Sequence, residues 1–227
     1  YTIQAQNESG KNFKIIEIHK KLPHAVIKSY KLGFDPNLFT SKKLEYYFST
    51  NNELIPINNN LIDKIFKNRS IQKKPFFSLH KKIVGEGYQS KIKKIINFLK
   101  LNKTDYLFIS APENVAWLLN IRGYDNPTSP IPNSRLIIGK NKQLLLFTKK
   151  DNIKKIINEK KIKNNQVFDF FDFRELIDKL KGSTFIIDSH SCSVFAEKII
   201  KSKFKIEVEE DPIYKLKSVK NSSEIKN

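Results

Sequence analysis

The chain has 227 residues, 39% of them hydrophobic, which is enough to build one large domain or two small ones and excludes wholesale disorder. No apolar run approaches the ~20 residues of a membrane helix, and the polar opening YTIQAQNESGK lacks the form of a signal peptide. The net charge of +19 comes almost wholly from Lys, with arginine confined to positions 69, 122, 135 and 174, so it does not by itself point to nucleic acid.

The lysines run along the whole chain together with abundant Asn, Ile and Phe, as a genome poor in G and C would encode. The one cysteine, Cys192, excludes an intramolecular disulfide and fits a reducing, cytoplasmic compartment. The sequence contains no Met and starts at Tyr1. From this we expect an interior piece of a longer protein, ending as a helix capped by Ser222 or Ser223 begins.

In chain order, FKIIEI (13–18) predicts a short strand or a helix start, and AVIKSYKLGFDP a strand from about Ile27 that stops at Asp-Pro. Thr40 or Ser41 is placed to cap a helix over 41–50. NNELIPI reads as a strand and NLIDKIFKNR as a helix. The stretch SIQKKPFFSLHKKIVGEGYQ has no clean period and reads as a connector.

From residue 90 the pattern sharpens. SKIKKIINFLKLN is an amphipathic helix, DYLFISA a buried strand and PENVAWLLN a short helix opened by Pro. SRLIIGKNKQLLLFT predicts a β-hairpin. A helix (DNIKKIINEK), a strand (NQVFDF), a helix ended by Gly182, a strand (STFIIDS), a helix (SVFAEKIIKSK) and a strand (KIEVEE) follow. This alternation predicts an α/β fold, a mixed β-sheet with helices on both faces. No internal repeat is visible.

DSHSC (188–192) gathers Asp, Ser, His and Cys, but triad residues meet in space rather than in five consecutive positions, so a capping role at a strand-to-helix junction is expected. No metal-binding spacing and no glycine-rich phosphate loop is present. APENVAWLLNIRGYDNPTSP is different, because it holds the single Trp and one of the rare arginines. Trp117 and Leu118 read as core. Asn120, Arg122, Tyr124 and Asp125 fall on a turn beside Gly123 and form the candidate contact surface. The residues alone leave open whether Arg122 is such a contact or a structural side chain.

This segment resembles AWLLNIRGxDxPxxP of the three-domain Xaa-Pro aminopeptidases (aminopeptidase P). YTIQAQ is similar to that family's (DGR)YTLQA, GFDPNLFT to GYDPWLHT, NNLIDKIFKNR to NLVDxLWxxRP, VGEGYQSKIKKI to AGxSxxEKI, and DPIYKLKSVKNSSEIKN to DPxxxLKAIKNxxEI. The matches keep the family order over nearly the whole chain. Departures are local: Asn37, Phe39, Phe66, Ser70 and Asn126 stand where the family carries other residues.

The resemblance implies a creatinase N-terminal-like domain at 88–218. It implies a partial copy of a similar domain plus connector at 1–87, and the start of a pita-bread catalytic domain at 219–227. It implies a metal-dependent enzyme that removes the residue preceding proline from peptide N-termini. Two divalent ions, usually manganese, would be held by two Asp, one His and two Glu of the catalytic domain, none within these residues. The region itself would have no catalytic and no metal residues; it would shape substrate access and build a homodimer. Asn120, Arg122, Tyr124 and Asp125 would face substrate, the catalytic domain or the dimer partner. Neither nucleic acid nor membrane is an expected partner. The alternative is a non-enzymatic creatinase-like interaction module, as in the family's histone-chaperone relatives.

Overall fold

A computed structural model describes residues 1–49, 51–66, 74–126 and 128–226. It begins with helix α1 (Thr2–Glu8), then the parallel pair β1 (Lys31–Phe34) and β2 (Glu53–Pro56) joined through α2 (Ser41–Phe48) and followed by α3 (Leu61–Ile65). Short β3 (Phe77–Ser78) and α4 (Lys81–Val84) lead to the long α5 (Tyr88–Leu101). Then come β4 (Tyr106–Ile109), α6 (Pro112–Leu119), β5 (Ile121–Arg122), the hairpin β6 (Arg135–Gly139) and β7 (Leu144–Phe147), and α7 (Lys150–Asn158). The remaining elements are β8 (Val167–Phe168), α8 (Phe173–Lys179), β9 (Thr184–Ile187), α9 (Val194–Lys201), β10 (Lys205–Val208), α10 (Pro212–Ser218) and α11 (Ser222–Lys226).

Six strands form one mixed sheet in the order β10-β9-β4-β6-β7-β8. Its two faces are the two cores, as period-2 strands require when both faces are covered. Leu107, Ile109, Leu136, Ile138 and Ile186 point to the face covered by α5, α6, α7 and α10. Tyr106, Phe108, Ile137, Phe147, Phe185 and Ile187 point to the face covered by α8 and α9. The α/β architecture with helices on both faces matches expectation.

Several local expectations are corrected. FKIIEI forms neither strand nor helix; Phe13, Ile16 and Ile18 are exposed, and no strand lies beside them among the described residues. The strand expected from Ile27 begins at Lys31, because Ser29 adopts φ 61, which breaks an extended run. Gly182 lies beyond the end of α8, which is capped by Leu180. Beyond β10 the chain enters α10, which Asp211 caps and Pro212 opens. The cap of α11 is Asn221 rather than Ser222 or Ser223: its Oδ1 accepts from Ser223 N (3.0 Å) and Glu224 N (3.1 Å). DSHSC is a capping turn, as expected. Asp188 Oδ1 accepts from His190 N, and Ser193 Oγ accepts from Ala196 N at the start of α9. Ser70 and Arg69, within the NNLIDKIFKNR resemblance, and Asn227 lie outside the described residues.

The structure also contains a repeat that the sequence hides. The unit β1-α2-β2-α3 recurs as β9-α9-β10-α10, each with a parallel strand pair. Asp35 follows β1 and accepts from Asn37 N, as Asp188 follows β9 and accepts from His190 N. Thr40 caps α2 as Ser193 caps α9. Asn60 caps α3 through Ile62 N as Asp211 caps α10 through Ile213 N. Thr40 and Ser193 then meet each other in an antiparallel bridge. Contact between equivalent residues is the mark of an approximate two-fold relation. The repeat survives in turn and cap residues, which backbone geometry demands, and not in the apolar pattern by which repeats are usually seen.

The candidate functional site at the end of α6

α6 starts on Pro112 and ends on Asn120, whose φ of 52 places it in the left-handed region that terminates helices and that Asn tolerates better than most residues. The turned backbone sends its carbonyl to Leu79 N (2.9 Å) and to Lys161 Nζ (3.2 Å). The side chain points inward. Asn120 Oδ1 accepts from Lys91 Nζ (2.8 Å), and Nδ2 donates to the Glu86 carbonyl (2.8 Å).

Lys91, on α5, is 1% exposed. Its ammonium also donates to the Trp117 carbonyl (3.0 Å) and lies 3.7 Å from the centroid of the Trp117 ring. Burial lowers its pKa to about 8, opposed by the negative charges of Glu224 and Glu86. Trp117 Nε1 in turn donates to Glu224 Oε1 (3.4 Å). Asn221, which caps α11, donates from Nδ2 to the Val84 carbonyl (2.9 Å). It packs so closely on Gly85, at φ 71, that a Cβ there would overlap its side chain. Three segments that resemble the family pattern (84–92, 116–122 and 217–225) therefore meet at one place.

Arg122 leaves Asn120 along β5, which pairs antiparallel with β3. Its Nη1 donates to the carbonyls of Ile121 (2.8 Å) and Ala116 (3.3 Å). The guanidinium is half-buried and no ion pair to it occurs among the described residues. It borders a cavity of about 270 Å³ together with Lys91, Trp117, Lys220 and Glu224.

The other two predicted residues go elsewhere. Tyr124 is half-exposed, with its ring 5.4 Å from that of Phe77 and Lys74 Nζ 5.2 Å above it. Asp125 is spent on its own loop and on α7, accepting from Asn133 N (2.7 Å) and Asn152 Nδ2 (3.1 Å), and borders a separate cavity with Glu113. Gly123 is required by close approach rather than by its backbone angles: a Cβ would lie 2.9 Å from both Phe76 Cδ1 and Pro132 Cα. Thus Asn120 and Arg122 share a site, while Tyr124 and Asp125 do not join it.

Sequence reading missed Lys91, Asn221 and Glu224 as members of this site. Lys91 sits among many lysines, but it falls on the buried stripe of α5 beside Ile92, Ile95 and Leu99, and a Lys in that stripe was the available signal.

A second buried polar group lies at the C-terminal ends of the parallel strands β4 and β9, where α6 turns to one face of the sheet and α9 to the other. Asp211 Oδ2 accepts from Asn114 Nδ2 (2.7 Å), and Lys217 Nζ donates to Asn114 Oδ1 (2.6 Å). Burial raises the Asp211 pKa to about 6, and Asp188 adds to the rise. A carboxyl whose pKa is raised in the fold favours the folded state below the unfolded pKa, and that contribution is lost as pH rises through 6. Relative to wild type, Asp211→Asn is therefore expected to gain about 2 kcal/mol between roughly pH 4 and 7. Denaturant melts across that range check this; a difference that stays flat contradicts it.

Among the described residues no three His, Cys, Asp or Glu side chains are grouped as a metal would need. The fold is a double-faced α/β sheet with a buried polar junction at the end of α6. The chain belongs to the creatinase/prolidase N-terminal domain family, whose pattern matches residues 67–224.

Among its relatives, Protein pid-5 of Caenorhabditis elegans is 34% identical over 113 residues, covering 48% of this chain and 11% of that protein. Xaa-Pro aminopeptidase 1 of Dictyostelium discoideum is 28% identical over 165 residues, covering 61% of this chain and 25% of that one. The solved X-prolyl aminopeptidase of C. elegans, described as a cytosolic enzyme with a di-nuclear active site, matches all of this chain with a TM-score of 0.77 and 20% identity. That match takes in 40% of the enzyme's chain and shows a shared fold. The chain thus spans well under half the length of these proteins.

Proposed function

We propose that this chain is a non-catalytic region of a metal-dependent Xaa-Pro aminopeptidase, a cytoplasmic and dimeric enzyme acting on peptides with proline second. The observation that carries the reading is the agreement between the family match over 67–224 and a fold likeness to an X-prolyl aminopeptidase that takes in the whole chain. In this reading residues 88–218 form one creatinase-like domain, 1–87 the end of a similar domain with its connector, and 219–227 the lead into a catalytic domain. The repeated β-α-β-α unit supports reading residues 31–65 as the end of a domain similar to the one that ends with α10. Ile213 of α10 is 0% exposed beneath α6, whereas its equivalent Ile62 of α3 is 60% exposed, as expected of a unit that lacks the other layers of its domain.

The region's task is to shape access to the catalytic site and to support the dimer. Within it Asn120 positions the turn from inside, and Arg122 presents its free donors to substrate, to the catalytic domain or to the partner subunit. Tyr124 and Asp125 hold the adjoining loop. The two divalent ions, manganese by the resemblance, belong to the catalytic domain. The chain alone is therefore expected to take up no stoichiometric Mn²⁺ in calorimetry and to leave Xaa-Pro peptides uncut. Two tightly held ions per chain would overturn the assignment.

A further inference from the structure

We propose that the Lys91 ammonium is a positioning group that ties α11 to the turn carrying Arg122, and that loss of its proton loosens the hold of α11 on Trp117. The geometry divides the work of this one nitrogen. Two of its donors go to oxygens, Trp117 O at 3.0 Å and Asn120 Oδ1 at 2.8 Å, both on the end of α6. Its charge faces the Trp117 ring at 3.7 Å, and Trp117 Nε1 reaches Glu224 of α11.

A neutral amine keeps two donors and can hold both oxygens. It loses the attraction to the ring and to the Glu224 carboxylate. What remains on α11 is its packing on α4, the Asn221 link to Val84 and a long bond from Trp117 to Glu224. The other charged groups around Lys91 are Glu86 in the turn before α5, Lys94 on α5, Arg122 on β5, Lys220 before α11, and Lys161, whose Nζ reaches Asn120 O. Glu86 is itself paired with Lys94, at 2.8 Å, and Glu224 makes no ion pair among the described residues. Glu224 is therefore the carboxylate most able to answer the buried charge, and through it the proton on Lys91 is felt by α11. The inference concerns this chain alone and does not depend on the aminopeptidase reading.

Trp117 is the chain's single Trp. Its fluorescence and its quenching by acrylamide therefore read the junction directly in the unmodified chain. Wild type is expected to be weakly quenched below about pH 7.5, with quenching rising about twofold through a midpoint near the Lys91 pKa of about 8. Lys91→Met is expected to be strongly quenched already at neutral pH, with no step. Lys91→Arg, charged throughout this range, is expected to stay weakly quenched to about pH 9.5. Glu224→Gln removes a charge that holds the Lys91 proton, so its midpoint is expected to move to lower pH. This variant lies on α11, outside both cores of the sheet, and tests the link even if substitutions at Lys91 prevent folding. A wild-type signal flat across the range, a step retained in Lys91→Met, or an unmoved midpoint in Glu224→Gln would each overturn the proposal.

Discussion

In the complete enzyme of the proposed function, Arg122→Ala is expected to lower kcat/KM on Xaa-Pro peptides by roughly 10- to 150-fold, the loss of one charge-assisted hydrogen bond. Metal content is expected to be unchanged. The guanidinium is half-buried beside a cavity and donates to two backbone carbonyls through one nitrogen, Nη1. Its other donors have no hydrogen-bond partner among the described residues. A partner from outside these residues would satisfy them. If that partner is substrate, efficiency falls while the melting temperature holds. If it is the catalytic domain or the other subunit, the variant melts lower or dissociates. Wild-type efficiency together with wild-type stability would contradict both roles.

Phe147→Ala is expected to destabilise the chain by about 3–5 kcal/mol, as truncation of a buried aromatic does. Phe147 is 1% exposed on the face of β7 covered by α8 and α9 and packs against the rings of Phe168, Phe170 and Phe173. A fall in melting temperature of about 10 °C or more follows from that loss. Ile65→Ala, on α3, is expected to change stability by no more than about 0.5 kcal/mol, since Ile65 is 81% exposed. The contrast reports where cooperative structure resides. It also implies that limited proteolysis cuts first before residue 88, since the six-stranded sheet and, apart from Phe76, both of its cores lie beyond that point. First cuts inside 100–210, or equal losses in the two variants, would contradict this picture.

The strands of the six-stranded sheet were readable because each is a short apolar run bounded by turn residues, as in DYLFISA and STFIIDS. Their helices were readable from the spacing of residues such as Ile92, Ile95, Ile96 and Leu99. The first 66 residues were harder. FKIIEI has the alternation of a strand, but alternation makes a strand only where a neighbour accepts its hydrogen bonds. The repeat escaped because it resides in Asp35, Thr40 and Asn60 and their counterparts Asp188, Ser193 and Asp211, residue types common in any turn.

At the candidate site, Asn120 and Arg122 were legible as a rare cluster on a glycine-bearing turn. The direction of the Asn120 side chain was not, because it is set by Lys91 and Glu86 from another helix and turn. Tyr124 and Asp125 were grouped with them by proximity in sequence. Beyond Gly123, whose N–H donates to the Pro130 carbonyl, the chain carries them into a different loop.

The most direct test of the central claim is to express the complete product of the gene encoding this chain and measure bound metal together with hydrolysis of Xaa-Pro peptides. The account predicts two divalent ions per chain and release of the single residue preceding proline. A complete product that holds no metal and leaves such peptides intact would contradict the enzyme reading and favour a creatinase-like interaction module.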